Sequence, residues 1–197
     1  MKNLFLIILT ISSLFFYTGC KRTCQSYPEQ YLNWIPFENV QKIRFTNNQD
    51  SISFIIKEFS KTSEYEVSKR NDVSCVATAS FLSEANNKLN IYIQGISTVI
   101  ENSNRIHFNY EFIEPQIMGD EFMFSIENEI INGYDNFHEF HFFDTILIND
   151  KEYKNVIHLE KEASETERNI IELYIAENIG IVKFTENNGT EWFIVNE

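Results

Sequence analysis

The sequence predicts a single all-β domain: a mostly antiparallel meander of roughly ten to twelve strands with little helix, shaped as a curved sheet, a sandwich or a half-barrel. Apolar residues recur at every second position over most of the chain, which is typical of strands with one buried and one solvated face. Phe occurs 18 times and Tyr 9 times, whereas Gly and Pro occur 6 and 3 times, and this composition favours strands over disorder. Short polar runs separate the alternating stretches, as the turns of a meander require.

The first predicted hairpin covers residues 40–59, with its turn at residues 47–50. Two apolar runs of period two flank this turn, which is the usual pattern of a hairpin. Residues 31–37, which precede it, are largely aromatic and contain Pro36. Because proline cannot donate a hydrogen bond to a neighbouring strand, this segment is predicted to be a covering flap or a first edge.

The other predicted strands follow in the middle and at the end of the chain. Residues 105–112 form the clearest one, because four apolar side chains alternate there with four polar ones. Residues 137–148 are apolar on both faces, which predicts a central strand. Further strands are predicted at residues 64–68, 74–82, 89–93, 122–126, 153–160, 171–175, 181–184 and 192–195.

The last third of the chain gives more detailed predictions. From Tyr153 to Leu159 the alternation places the odd-numbered residues, Asn155 among them, on one face. Residues 161–168 are highly charged and lack apolar periodicity, so a loop is predicted. Asn188-Gly189 suits the positive φ angles of a tight hairpin turn.

The first nineteen residues have the composition of an export signal. Lys2 supplies a positive start, and residues 4–17 form an apolar run of about fourteen residues, shorter than the roughly twenty of a membrane-spanning helix. Thr18, Gly19 and Cys20 follow directly. The sequence therefore predicts a cleaved signal at residues 1–19.

Thr18-Gly19-Cys20 resembles the lipobox of bacterial lipoproteins. The resemblance implies cleavage just before Cys20 and lipidation of its thiol by a diacylglycerol, with palmitate among the acyl chains. Residues 20–30 would then be the lipidated cysteine and a tether, and residues 31–197 the β-rich domain. The alternative is an ordinary secretory signal in which Cys20 is a plain disulfide cysteine.

Net charge and the residues after Cys20 bear on the partners and the location. The net charge is −13, which argues against nucleic acid as a partner, because phosphate neutralisation needs clustered Lys and Arg. Attachment to a membrane would therefore come from the lipid. Lys21-Arg22-Thr23 lacks the acidic residues of surface-exported lipoproteins in the resembled group, which favours an outer-membrane anchor facing the periplasm.

Two stretches of the domain extend this resemblance. Asn33-Trp34-Ile35-Pro36 with residues 43–48, and residues 174–184 with Trp192, are similar to the opening and the closing hairpin of small lipoproteins from Bacteroidota-type bacteria. The shared motifs are turns and strands. They imply a β-rich envelope lipoprotein of unassigned function and transfer no active site.

Catalytic and metal motifs receive no support from the sequence. His138 and His141 are the only close histidine pair, but residues three apart in a strand face opposite sides, so a shared metal is not predicted. The chain contains no Gly-x-Ser-x-Gly elbow and no phosphate-binding Gly-rich loop. No catalytic residue, metal or cofactor is therefore predicted.

The remaining cysteines form a candidate disulfide. If Cys20 is lipidated, Cys24 and Cys75 remain, and an even number of thiols in an exported protein favours pairing. Such a bridge would close a loop of about fifty residues and stabilise the fold by roughly 4 kcal/mol. The alternative is two free thiols, with Cys75 buried as a small apolar residue.

Ser51 and Thr145 are candidate O-glycosylation sites. Asp50-Ser51-Ile52 and Asp144-Thr145-Ile146 resemble the Asp-Ser/Thr-apolar motif of Bacteroidota-type envelope proteins. Both are predicted to lie where a turn enters a strand. The same residue types also favour the start of a strand by themselves.

Three functions remain open at this point. The leading prediction is a non-catalytic envelope lipoprotein that binds or scaffolds a protein, glycan or lipid of the envelope. The alternatives are a carrier of a hydrophobic molecule in a curved-sheet cavity and a hydrolase with an unrecognised carboxylate pair. An exposed platform of aromatic rings would support binding, whereas ordinary packing would bury them: Tyr31, Trp34, Phe37, Trp192 and Phe193.

Overall fold

The computed structural model describes residues 28–38, 41–67, 72–83, 89–98, 103–113, 117–118, 121–127, 130–133, 139–162 and 168–195. Within these residues the chain forms one short helix and thirteen strands. The elements are α1 (Glu29–Leu32), β1 (Lys42–Thr46), β2 (Ser51–Val67), β3 (Asp72–Ser83), β4 (Leu89–Thr98), β5 (Ser103–Phe112), β6 (Ile117–Met118), β7 (Phe122–Glu127), β8 (Ile130–Gly133), β9 (Glu139–Ile148), β10 (Lys151–Glu160), β11 (Ile170–Ala176), β12 (Gly180–Glu186) and β13 (Glu191–Val195).

All thirteen strands belong to one antiparallel sheet. Twelve of them follow the order β8-β7-β5-β4-β3-β2-β1-β13-β12-β11-β10-β9, and β6 pairs with β5 beside this path. Most neighbours are consecutive in the chain, but β13 returns to pair with β1, where Phe45 lies opposite Ile194. The predicted all-β, antiparallel meander with little helix is therefore confirmed.

The sheet curls until its two end strands approach each other. Gly133 on β8 lies so close to Phe140 on β9 that a Cβ at position 133 would be 2.8 Å from the Phe140 Cβ. The inner faces of both halves of the sheet supply one continuous core. Its largest fully buried rings are Phe45, Phe54, Phe108, Phe112, Phe122, Phe124 and Phe184.

Alternation explains how these strands reach the core. Ile106, Phe108, Tyr110 and Phe112 of β5 are all buried, as the pattern of period two predicts. The rings pack edge to face, for example Phe45 against Phe184 at a centroid distance of 5.3 Å.

The segment before β1 covers one opening of this core. Trp34, Ile35 and Phe37 are buried, and the Asn178 N–H donates a 2.6 Å hydrogen bond to the Asn33 carbonyl oxygen. Gly180 has a φ of +85°, and a Cβ there would collide with the Phe37 ring. Only glycine suits both the positive φ and the close contact with the Phe37 ring. The burial of the aromatic segment over the core makes it the predicted covering flap.

Two predictions about strand placement are wrong. In the apolar run at residues 137–148, the described part from Glu139 to Ile148 forms β9, which stands at the end of the strand order and not at its centre. In β10 the alternation breaks at Asn155, which has a φ of +48° and is exposed. Tyr153 and Val156 consequently enter a second small cluster, whereas Ile157 and Leu159 enter the main core.

Charged side chains are buried where β10 connects to β11. Lys161 Nζ donates to the Tyr110 hydroxyl and to Asn169 Oδ1, both at 2.9 Å. The Tyr110 hydroxyl also accepts a 3.0 Å hydrogen bond from the Ile170 N–H. Residues 163–167 of the predicted loop lie outside the described part of the chain.

A bidentate ion pair lies beside these groups. Arg168 donates to both oxygens of Glu186 at 2.6 and 2.7 Å, and Trp192 Nε1 donates to the same carboxylate at 2.9 Å. The Arg168 guanidinium also lies 4.3 Å from the centre of the Phe112 ring. These contacts join β5 to β10, β11 and β12, and we name them the inner polar cluster: Tyr110, Lys161, Arg168, Asn169, Glu186 and Trp192.

Candidate functional site

Two rows of side chains cross the outer face of β9 to β13. Leu159 on β10 and Leu173 on β11 point into the main core. Because side chains alternate along a strand, their neighbours His158, Glu160 and Glu172 project from the opposite face. The strand register aligns such residues across five strands.

In the first row, which we name the ring row, each residue lies directly opposite the next one on the neighbouring strand. It consists of His141, His158, Tyr174, Lys183 and Phe193. The His158 ring stacks on Tyr174 at 4.1 Å with an interplanar angle of 11°, and on His141 at 5.6 Å. Lys183 Nζ lies 5.0 Å from the centre of the Tyr174 ring. The stack fixes the plane of the His158 imidazole.

The second row, which we name the acid row, lies two positions away from the ring row on each of the same strands. It consists of Glu139, Glu160, Glu172, Thr185 and Glu191. Glu160 and Glu172 lie directly opposite each other, an arrangement in which like charges destabilise the pairing of strands. Lys183 offsets part of this charge, because its Nζ lies 2.5 Å from Glu191 Oε1 and 3.8 Å from Glu172 Oε2.

Three residues of these rows converge, and we name them the outer trio: His158, Glu160 and Glu172. One ligand atom from each lies within 4.8 Å of the other two. His158 Nε2 is buried and has no hydrogen-bond partner among the described residues. It faces Glu172 Oε1 at 3.8 Å, which is too long for a hydrogen bond. Thr185 Oγ1 donates to the other oxygen, Glu172 Oε2, at 2.6 Å.

Burial and the surrounding charges shift the pKa values of two rings beside the acid row, His158 and Tyr174. Burial lowers the pKa of His158, Glu172 opposes this effect, and His141 and Lys183 add to it. Burial also raises the pKa of Tyr174 to about 12, and the nearby Glu172, Glu160 and Glu191 contribute in the same direction. Both shifts favour the uncharged form of the side chain.

A second candidate site is the cleft where β8 and β9 diverge, which we name the seam. It has a volume of about 280 Å³. Asn155 Nδ2 and Asn33 Nδ2 donate to the two oxygens of Glu177 at 2.6 and 3.2 Å on one of its walls. The lining residues are Gln30, Tyr31, Trp34, Ile126, Ile131, Phe142, Asn155 and Glu177.

The end strands beside the seam expose apolar side chains. In the part of the chain that the structure describes, five large hydrophobic residues are exposed, and Ile130, Phe142 and Leu147 are three of them. Leu147 is 67% exposed, the highest fraction of the five. These three residues lie on β8 and β9, the two ends of the strand order.

The predicted modification sites have different outcomes. Cys20 and Cys24 lie outside the described residues, and for Cys75 the structure gives only its position in β3. The candidate lipidation and disulfide thus remain predictions. Ser51 is exposed at the start of β2, directly after a turn, as predicted. Thr145 is also exposed, but it lies in the middle of β9 and not at a turn, because that strand begins at Glu139.

The aromatic residues from the two ends of the domain do meet, but inside the core. Trp34, Phe37 and Trp192 are buried, so they form no exposed platform. Tyr31 packs partly buried against them, and Phe193 belongs to the ring row on the other face.

Of the close histidine pair in the sequence, His138 and His141, the structure describes one member. His141 lies on the outer face in the ring row, whereas His138 is outside the described residues. Sequence reasoning missed His158 as a functional candidate. Its spacing of two from Glu160 within a predicted strand places both on one face and was a usable signal. Glu172 joins them only through the pairing of β10 with β11.

Comparison with known proteins adds no assignment. No family model, no curated protein sequence and no solved structure matches the chain.

Among the described residues, no helix has the length and hydropathy needed to cross a membrane.

Proposed function

We propose that this chain is a lipid-anchored, non-catalytic binding module of the bacterial envelope, and that the free edge of β9 receives an extended segment of another envelope protein. The lipobox-like Thr18-Gly19-Cys20 supports the anchor. The binding part depends on one observation, the apolar character of β9 at the end of the sheet.

β9 has the properties of a strand that accepts a partner. It is ten residues long and pairs along its length with β10. β8 approaches it near Phe140, but among the described residues the two strands do not pair. Edge strands are usually protected by lysine, proline or a bulge. From Phe140 to Ile148 the sequence contains neither Lys nor Pro. A segment that pairs with this edge would gain main-chain hydrogen bonds.

The seam would contribute specificity to this contact. Side chains of an added strand alternate between the two faces of the sheet, and every second one would point towards Phe142 and the seam. At about 280 Å³, the seam is at the small end of the roughly 300–1,000 Å³ of small-molecule sites. It therefore fits one or two side chains of a protein segment better than a separate ligand.

The carrier and the hydrolase receive less support. Where the structure describes the inward side chains, buried phenylalanine rings pack against one another, whereas a carrier needs space there. A groove of about 600 Å³ does run along β1, but Lys42, Arg44 and other polar groups line much of it. Glu160 and Glu172 face each other on the outer face of the sheet beside Thr185, whereas a hydrolase needs a cleft.

The test is recovery of the partner by the full chain from detergent-solubilised envelope, followed by mass spectrometry. Leu147→Asp places a charge on the exposed edge and should remove the co-purifying protein. Ile113→Asp is the matched control, because Ile113 is also exposed, at 43%, but lies outside β9. The binding proposal fails if both variants recover the same proteins as the wild type.

The anchor is tested separately with Cys20→Ala. Labelled palmitate should enter the wild type and not this variant, because the variant lacks the thiol that the lipobox resemblance marks for acylation. Palmitate in the variant, or none in the wild type, would contradict the lipoprotein proposal without affecting the edge of β9.

A further inference from the structure

We propose that the outer trio, His158, Glu160 and Glu172, binds a divalent cation of the zinc class on the outer face of β10 and β11. This site is separate from the edge of β9 and does not depend on the proposed partner.

The donor set matches the chemistry of zinc. Zinc accepts imidazole nitrogen and carboxylate oxygen at about 2.0–2.2 Å, so its donors lie roughly 3.4 Å apart in a tetrahedral site. The three donor atoms here already lie within 4.8 Å of one another. A bound cation would draw the donors closer by about 1.4 Å at most. Calcium and magnesium prefer oxygen donors alone, which makes them poorer candidates for a site built around an imidazole.

The buried, unpartnered Nε2 atom of His158 is the observation that points to a ligand. Its side chain is only 9% exposed, and Nε2 has no hydrogen-bond partner in the described part of the chain. A buried polar atom without a partner is costly. Because Nε2 is directed at Glu172 Oε1 across 3.8 Å, a cation between the two atoms would satisfy both.

Neighbouring side chains hold the donors in position, as residues that contact the ligands do in known metal sites. Tyr174 stacks on the His158 ring at 4.1 Å and fixes its plane. Thr185 donates to Glu172 Oε2, so that Oε1 is the oxygen turned towards His158. Tyr174 lies on β11, which pairs with β10, and Thr185 lies on β12, which pairs with β11.

The charge balance also favours a cation. Glu160 and Glu172 repel each other across the strand pair, and a divalent ion would remove this repulsion. Lys183 is the competing positive group. It lies 3.8 Å from Glu172 Oε2 and 2.5 Å from Glu191, so it sits on the side of Glu172 that is turned away from His158. Three protein donors leave a fourth zinc position for water.

The test is a zinc titration of the full chain in detergent, by calorimetry, after treatment with a chelator. The wild type should bind one zinc ion per chain and bind calcium more weakly. His158→Phe, which keeps a ring on Tyr174, and Glu172→Gln should each weaken zinc binding at least tenfold. Glu121→Gln is the matched control, because Glu121 is the partner of His107 on the other half of the sheet.

Several outcomes would overturn the site. These are no saturable zinc binding by the wild type, tighter binding of calcium than of zinc, or unchanged zinc affinity in both variants. Circular dichroism checks that each variant keeps its strand content. If either variant loses it, Glu160→Gln takes its place, because Glu160 is the most exposed residue of the outer trio and its loss should weaken zinc binding by the same factor.

Discussion

The inner polar cluster and the outer trio place the same kinds of charged group on opposite faces of one sheet, and they differ in how those groups are satisfied. In the inner polar cluster, Glu186 is 1% exposed and accepts three hydrogen bonds, two from Arg168 and one from Trp192. In the outer trio, His158 is nearly as buried, but its Nε2 has no partner among the described residues. The inner polar cluster joins several strands, whereas the outer trio lies on two, β10 and β11.

This difference indicates a structural role for the inner polar cluster and a binding role for the outer trio. Buried charges that are fully hydrogen-bonded fix the elements they join, and the inner polar cluster ties β5 to the connection between β10 and β11. An unsatisfied buried donor or acceptor contributes no such stability. We attribute the unpartnered His158 Nε2 beside two carboxylates to the cation site proposed above.

Loss of the inner ion pair should have the largest effect on stability. Glu186→Ala leaves Arg168 without its carboxylate and the Trp192 N–H without its acceptor. The free energy of unfolding should fall by about 3 kcal/mol, the lower end of what broken buried pairs cost. Urea denaturation of the full chain in detergent measures the change.

The matched control for that prediction is Glu191→Ala. Glu191 pairs with Lys183 at 2.5 Å, but its side chain is 48% exposed, and exposed pairs contribute about 0–1 kcal/mol. Equal losses in the two variants would mean that the inner polar cluster has no special structural role.

His158→Phe should have the smallest effect on stability in the absence of metal. The substitution removes no hydrogen bond of Nε2 and keeps a ring on Tyr174, so the free energy of unfolding should change by less than about 1 kcal/mol. Urea denaturation with a chelator present measures it. A loss as large as that of Glu186→Ala would show that His158 has a hidden structural partner, and the comparison between the two clusters would fail.

The sequence predicted the fold wherever the backbone is regular. The four inward residues of β5, from Ile106 to Phe112, are buried as the alternation requires. The pattern failed at Asn155, where a positive φ rotates the side chains that follow. Periodicity assumes uniform strands and cannot locate such irregularities. It also cannot distinguish an apolar edge such as β9 from a central strand, because the order of strands depends on long-range pairing.

The sites were predictable only in part. His158 and Glu160 share a face of a predicted strand, so two of the three donors could be grouped from spacing alone. Glu172 joins them through the register of β10 with β11, which no local pattern contains. Charge and the lack of apolar periodicity predict a loop at residues 161–168, but they do not reveal that Lys161 is buried. It is buried because Tyr110 and Asn169, from β5 and the start of β11, accept its hydrogen bonds.

X-ray absorption of the zinc-loaded full chain tests most directly whether the unsatisfied outer cluster is a ligand site. The outer trio predicts a first shell of nitrogen and oxygen at about 2.0–2.2 Å, with scattering from a single imidazole and no sulfur. The imidazole signal should disappear in His158→Phe. A sulfur shell at about 2.3 Å would instead assign the metal to cysteine, and it would contradict the account of the outer face.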